Sequence, residues 1–349
     1  MSSGRPICLY AGSAASPNVA RLLSNLHHML ECRYEVDIVA GRADTLDLDV
    51  PSTDVIGYRV PTVRAGMDAL NDCVETRNPA VLVQVTEPPI HGTVVGAVAR
   101  WQDVPGVYRY SGDRFYEYRV ARGVERWKAF VIGSVLGRVP LQLADEYIAL
   151  GPTGLRRLVA RGARTEDITT LPPAIDPTPF EQAEPAALDV PADRKIVLFV
   201  GRLSRLKGKG TLETAIPTVL KCRDDLHFVC VGSAEEGLDL PPKYYDHVTL
   251  VGRVSPRVIP RYMQAADVLV HPSLTDGIPR VTQEALAAGT PVLARDVGDV
   301  AAVTDNTFHT DTEFIEQLCS LEELPTDDIR PFTRDALGPR YREYFSRFM

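Results

Sequence analysis

The sequence predicts an α/β fold of two Rossmann-like domains in tandem, each a doubly wound parallel sheet, facing an inter-domain cleft. Three observations lead there. The chain has 349 residues, about twice the usual single-domain size. Short β-rich apolar runs alternate with helical patterns along its length, as expected when helices carry parallel strands from one to the next. The alternation is interrupted once, near the middle, by a proline-rich acidic stretch.

The first series of strands is expected at Ile7–Ala11, Tyr34–Val39, Val81–Thr86, Gly106–Tyr110 and Tyr147–Leu150, all apolar enough to be buried on both faces. Apolar residues at helical spacing predict helices over Asn18–Leu30, Arg64–Arg77, Thr93–Trp101, Tyr116–Val135 and Thr153–Ala160. Pro172, Pro173, Pro177, Pro179, Pro185 and Pro191 then break the pattern, with Asp176, Glu181, Glu184 and Asp189 among them. This divides the chain into a domain over 1–176, a linker over 177–193 and a second domain over 194–330. Its expected elements are strands at Lys195–Val200, Leu226–Val231, Val248–Val251, Val268–His271 and Pro291–Ala294, and helices at Thr211–Leu220, Pro256–Ala265 and Arg280–Ala288. Residues 331–349 predict a terminal helix, with Leu337, Tyr341, Tyr344, Phe345 and Phe348 on one face, that seals the second domain or returns to the first.

Composition narrows the class. Hydrophobic residues make up 45% and charged residues 24% of the chain, globular averages that exclude a disordered or fibrous protein. No apolar run reaches membrane-spanning length; the best candidate, 80–99, is broken by Glu87, Pro88, Pro89 and His91. Residues 1–10 read as a first strand and not as a signal peptide. Cys8, Cys32, Cys73, Cys222, Cys230 and Cys319 form no C-x-x-C pair and have no histidine at metal spacing, so buried thiols in a cytoplasmic protein are expected, without zinc or disulfides. The net charge of −8 falls wholly in residues 176–349. An acidic half argues against a nucleic-acid partner, which calls for a surplus of cations.

Two loops carry the chemistry. In the first, a buried strand ends at Gly201, Arg202 and Lys207 follow, and a helix starts near Thr211. Glycine admits close backbone approach, and two cations beside a helix start suit a diphosphate. A Walker phosphate loop is excluded because Leu203 stands where it needs glycine, and no G-x-G-x-x-G follows any expected strand. In the second, a strand ends at His271, Asp276 and Gly277 form a turn, and Pro279 opens a helix that carries Glu284 among small apolar neighbours. Asp276 suits a helix cap. A carboxylate on a packed helix calls for a polar partner, and sugar hydroxyls would serve Glu284.

These segments resemble retaining family-4 glycosyltransferases with the GT-B fold (glycosyl transferases group 1). Gly201-Arg202-Leu203 with Lys207-Gly208 matches that family's G-R-L-x-x-x-K-G loop. Asp276 and Glu284 match its acid-x7-acid element, with Ala285, Ala287, Gly289, Pro291 and Val292 in register. The likeness is specific over about 195–300 and looser before it. It implies a metal-independent, hexosyltransferase-like enzyme that moves a sugar from a nucleotide-diphospho-sugar, its substrate rather than a cofactor, to a hydroxyl acceptor in glycan or glycolipid biosynthesis. Arg202 and Lys207 would hold the diphosphate, Asp276, Gly277 and Ile278 the sugar, Glu284 the ribose, and Gly232 and Arg253 the phosphate and base. The absence of a D-x-D motif agrees with metal independence.

Two departures qualify the resemblance. Asp276 stands where the family usually has glutamate. Gly112 stands where it often has a histidine before an aspartate, leaving Asp113 to orient a substrate hydroxyl or cap a helix; His91 is a second candidate. After Asp113, Arg114, Arg119, Arg122, Arg126 and Lys128 mix with Phe115, Tyr116, Tyr118, Trp127 and Phe130. The favoured reading is an amphipathic helix whose arginine stems cover the core; the other is peripheral contact with the inner face of a membrane or with a lipid-linked acceptor. Alternatives to transfer are a sugar-nucleotide isomerase, a phosphorylase, or a catalytically silent GT-B subunit.

Overall fold

The computed structural model describes residues 4–12, 16–59, 62–112, 115–233 and 237–349. The chain forms two compact units, one of residues 1–174 with 332–349 and the other of residues 175–331.

The first unit holds seven parallel strands: β1 Ile7–Gly12, β2 Val36–Gly41, β3 Val55–Tyr58, β4 Val81–Gln84, β5 Gly106–Tyr110, β6 Glu146–Ala149 and β7 Ile168–Thr170, in the spatial order β3-β2-β1-β4-β5-β6-β7. Every residue of β1, β2, β4 and β5 is buried, because helices cover both faces; this is why these strands read as continuous apolar runs. The helices are α1 Pro17–Leu30, α2 Val63–Arg77, α3 Pro88–Gln102, α4 Gly123–Ala129, α5 Val139–Leu143 and α6 Pro152–Val159. The side chain of Ser16 caps α1 by accepting from the Val19 amide, and Pro17 takes the first position, where its missing N–H costs nothing. Helix α3 starts five residues earlier than expected, since Pro88 and Pro89 occupy its first turn after Glu87, whose φ is +43°.

The helix expected over 116–135 is not continuous. A 3-10 turn at Glu117–Arg119 gives way to α4, preceded by extended Arg122 and by Gly123 at φ +56°, and a π-helical stretch follows over Phe130–Val135. No residue of α4 is buried, so the arginine stems do not cover a core there. Val124, Trp127, Val135 and Leu136 are instead exposed.

The second unit holds six parallel strands: β8 Lys195–Val200, β9 Leu226–Val231, β10 Val248–Gly252, β11 Val268–His271, β12 Val292–Arg295 and β13 Thr307–Phe308, ordered β10-β9-β8-β11-β12-β13. Its helices are α7 Thr178–Glu181, α8 Lys209–Val219, α9 Ile259–Gln264, α10 Arg280–Ala287 and α11 Asp311–Cys319. The segment expected as a linker packs on this unit: Phe180 is buried, its carbonyl accepts from Gln264 at 2.7 Å, and the Ala186 amide donates to the Arg261 carbonyl at 2.8 Å.

The terminal helix, α12 Arg334–Phe345, completes the first unit. Leu337, Tyr341, Tyr344 and Phe345 join Leu23, Leu26, Met29 and Leu30 of α1 in one core. The Tyr341 hydroxyl donates to the Pro172 carbonyl at 2.9 Å, and Arg342 Nη1 to the Met29 carbonyl at 2.8 Å. No helix among the described residues is long and apolar enough to cross a membrane.

Candidate functional site

In the second sheet the chain runs from β8 outward to β9 and β10, then returns to place β11 on the other side of β8. Strand order therefore reverses between β8 and β11, and the loops leaving their carboxyl ends diverge there. Open α/β sheets bind ligands at such a point. The β8 loop carries Gly201, Arg202 and Lys207; the β11 loop carries Asp276, Gly277 and Ile278.

The structure ties the two loops together. Lys207 Nζ donates to Asp276 Oδ2 at 2.6 Å. The Leu274 amide donates to the Leu206 carbonyl at 2.9 Å, and Ser273 Oγ reaches the same carbonyl at 3.2 Å. Gly208, at φ +87°, lies so close to Pro272 that a Cβ there would sit 2.3 Å from the Pro272 carbonyl oxygen. Glycine is required at this position by both its left-handed backbone and its neighbour.

A histidine completes the cluster. His271 is buried, and its Nε2 lies 3.3 Å from Asp276 Oδ2, at ion-pair range but without the alignment of a hydrogen bond. Burial opposes ionisation of Asp276, yet the His271 ring and the Lys207 ammonium outweigh it and hold the carboxyl well below the usual carboxylate range. The aspartate is therefore a fixed negative charge beside a cation. His271 has no role in the sequence reading; only its position at the end of β11, five residues before Asp276, hints at one.

The other expected residues divide into three groups. Gly201 and Gly232 are backbone neighbours: a Cβ on Gly232 would fall 2.0 Å from the Gly201 carbonyl oxygen. The Gly201 amide donates to the Val231 carbonyl, Leu203 to Ser233, and Gly232 to Gly252, each at 2.9 Å. The loops after β8, β9 and β10 are thus linked to one another beyond the sheet. Ile278 and Glu284 are buried, 5% and 4% exposed, the latter in the second turn of α10. Arg202 and Arg253 are exposed, and among the described residues neither side chain makes a hydrogen bond or ion pair. Two cations held only by their own stems are available to an anion.

In the first unit the order reverses between β1 and β4. Gly12, at φ +59°, lies against His91, whose ring a Cβ at Gly12 would meet at 2.2 Å. His91 is buried, its Nδ1 is 3.0 Å from Thr86 Oγ1, and its Nε2 is 3.7 Å from a Glu87 oxygen. Burial lowers the pKa of this ring against the opposing pull of Glu87. Gly112 has open space where a side chain would begin. Asp113 and Arg114 lie outside the described residues.

Comparison with known proteins adds to this geometry. Residues 194–322 match the family model described as Glycosyl transferases group 1. The D-inositol 3-phosphate glycosyltransferase of Streptosporangium roseum is 31% identical over 218 residues, covering 57% of this chain and 50% of that protein. The 2-deoxystreptamine glucosyltransferase of Streptomyces kanamyceticus is 29% identical over 250 residues, covering 66% of this chain and 64% of that one. The chain spans about half the length of the first of these relatives. Among solved structures, HepE of Anabaena in complex with UDP and glucose aligns with a TM-score of 0.69 at 17% identity, over 97% of this chain and 99% of that one. The fold of the two units is that of GT-B proteins.

Proposed function

We propose that this chain, which over residues 194–322 matches the family model of glycosyl transferases group 1, is a member of that family and a retaining glycosyltransferase that moves a sugar from a nucleotide-diphospho-sugar to a hydroxyl acceptor. The observation that carries the reading is the Lys207–Asp276 pair at the switch point between β8 and β11. The exposed guanidinium of Arg202 and the ammonium of Lys207 hold the diphosphate and stabilise the charge that grows on it as the bond to the anomeric carbon breaks. Asp276 and the Gly277 and Ile278 amides orient the sugar, and Glu284 holds the ribose. Gly232 and Arg253 flank the phosphate and base. Neutralisation by these side chains takes the part that a metal plays in other transferases.

Solved structures with this fold include a UDP-GlcNAc 2-epimerase from Methanocaldococcus jannaschii, with a TM-score of 0.65 at 12% identity over 98% of this chain and 99% of that one, so the fold alone does not separate transfer from isomerisation. The Arg202–Lys207 loop together with the Asp276–Glu284 element favours transfer. The acceptor is a glycan or a lipid-linked hydroxyl. A lipid-linked acceptor is favoured by the exposed apolar residues at 124–139, where Val124 and Trp127 are 70% and 71% exposed beside Arg122, Arg126 and Lys128. Apolar and basic side chains together suit an anionic membrane surface.

The experiment is a thermal-shift screen of nucleotide sugars, followed by transfer assays and anomeric analysis of the product. Stabilisation by one nucleotide sugar, with product of retained configuration, supports the reading. An inverted product overturns the retaining assignment, and donor consumption to an epimer without acceptor overturns transfer. Co-sedimentation with anionic vesicles, lost in Trp127→Glu, tests the membrane contact; equal sedimentation of the two proteins removes it.

A further inference from the structure

The carboxyl-terminal turn of α1 carries two adjacent histidines whose surroundings are not explained by donor or acceptor binding. His27 Nε2 lies 2.8 Å from Asp54 Oδ2, and His28 Nε2 lies 3.2 Å from Asp49 Oδ2. Each ring thus directs its Nε2 at a carboxylate and leaves Nδ1 on the side of the helix that carries Glu31. The two Nδ1 atoms turn toward Glu31: His28 Nδ1 is 2.8 Å from Oε1, and His27 Nδ1 is 3.2 Å from Oε2. His27 is 1% exposed, and its Nδ1 is buried without a hydrogen-bond partner. A cation among the three would find three ligand atoms already gathered, one of them a buried nitrogen with no hydrogen bond.

We propose that His27 Nδ1, His28 Nδ1 and the Glu31 carboxylate bind one divalent transition-metal ion of the Zn²⁺ class, with Asp54 and Asp49 orienting the two imidazoles. Several independent features agree. The ligand atoms of the three residues lie within 4.8 Å of one another, against the spacing of about 3.4 Å that bonds of about 2.1 Å in tetrahedral geometry require. A ligating imidazole commonly donates its other N–H to a carboxylate, and both Nε2 atoms here lie within hydrogen-bond distance of one. The site sits at the carbonyl end of α1, where the helix dipole favours positive charge. Two imidazoles with a carboxylate select Zn²⁺ and its late-transition neighbours over Mg²⁺ and Ca²⁺.

The site belongs to the fold of the first unit. Asp49 and Asp54 come from the connection between β2 and β3, and the Asp49 amide donates to Ser24 Oγ of α1 at 3.0 Å. A bound ion would clasp that connection to the helix. Water supplies the remaining coordination on the open side, where Arg334, Asp335 and Arg342 line a groove beside His28 and Asp49. Arg342 is committed there to the Met29 carbonyl. The inference does not rest on the donor site, and adjacent histidines lie outside the spacing rules by which metal sites are sought in a sequence.

The test uses the full chain without a histidine tag, stripped with chelator and titrated with Zn²⁺ by calorimetry, with Co²⁺ as a spectroscopic substitute. One equivalent of Zn²⁺ should bind with a rise in melting temperature, and Co²⁺ should give the visible absorption of a tetrahedral site; Mg²⁺ and Ca²⁺ should do neither. His28→Gln and Glu31→Gln, both at exposed or half-exposed side chains, should abolish binding while leaving the metal-free melting temperature close to the parent. Asp54→Asn should weaken affinity by about 10–100-fold. If the parent takes up no Zn²⁺, or if His28→Gln and Glu31→Gln bind as tightly as the parent, the site is overturned.

Discussion

Replacement of Lys207 by alanine separates the stability of the donor loop from its chemistry. The Lys207 side chain is 38% exposed and that of Asp276 is 22% exposed, so solvent screens the pair. Its loss should cost about 0.2–1 kcal/mol of folding stability, a drop in melting temperature of roughly 1–4 °C for a unit of this size. His271 still faces Asp276 at 3.3 Å, which limits the damage. The same ammonium placed on a diphosphate makes a charge-assisted contact worth about 1.5–3 kcal/mol. At 1.36 kcal/mol per decade, kcat/KM for the donor should fall about 10- to 150-fold. The assay is initial-rate transfer with the donor identified by screening, alongside thermal melting of the same preparations. A variant that melts within a few degrees of the parent and keeps kcat/KM within twofold would refute the assignment of Lys207 to the diphosphate.

Asp276→Asn removes the negative charge beside that cation while keeping its shape. Donor KM should hold or fall and kcat should drop, which steady-state kinetics will separate. The Arg202 side chain makes no hydrogen bond or ion pair with a described residue, so Arg202→Ala should leave the melting temperature close to the parent and lower donor kcat/KM at least tenfold. The Asp276 carboxyl is held low in the folded unit, so the stability it contributes is present above the unfolded carboxylate pKa and is lost as pH falls through the lower folded value. A carbon-13 titration of the aspartates should find one that resists protonation well below pH 4. Gly208→Ala meets both a left-handed backbone and the Pro272 carbonyl, and should destabilise the second unit by at least about 1–2 kcal/mol in urea unfolding.

The sequence is most informative where strands are buried on both faces. β1, β5, β9 and β11 stand out as apolar runs because every residue in them is buried. Of the four edge strands, β3, β7 and β13 escape notice, with two to four residues each, while β10, with five, is read from the sequence although it too is only part-buried. Proline punctuation at 172–191 correctly signals a change in the chain but not its packing, since the segment is held by the buried ring of Phe180 and by hydrogen bonds to Gln264 and Arg261 that no local pattern shows. In the donor site, Lys207 and Asp276 are legible because glycine and proline fix their loops locally. Their mutual 2.6 Å contact depends on the reversal of strand order, which no local pattern carries. His271 stays hidden for the same reason, and the exposed face at α4 because an amphipathic pattern does not say which side meets solvent.

The first unit is discontinuous in sequence, closed by residues 332–349. During synthesis the segment 1–174 emerges without Leu337, Tyr341, Tyr344 and Phe345, leaving the apolar side of α1 bare. Residues 175–331 have all their own strands in one stretch and are able to finish first, although they are made later. The core of the first unit is therefore complete only once α12 has been made. Truncation near 331 would strip Leu23, Leu26 and Leu30 of the core partners Leu337, Tyr341, Tyr344 and Phe345, even with the second unit intact.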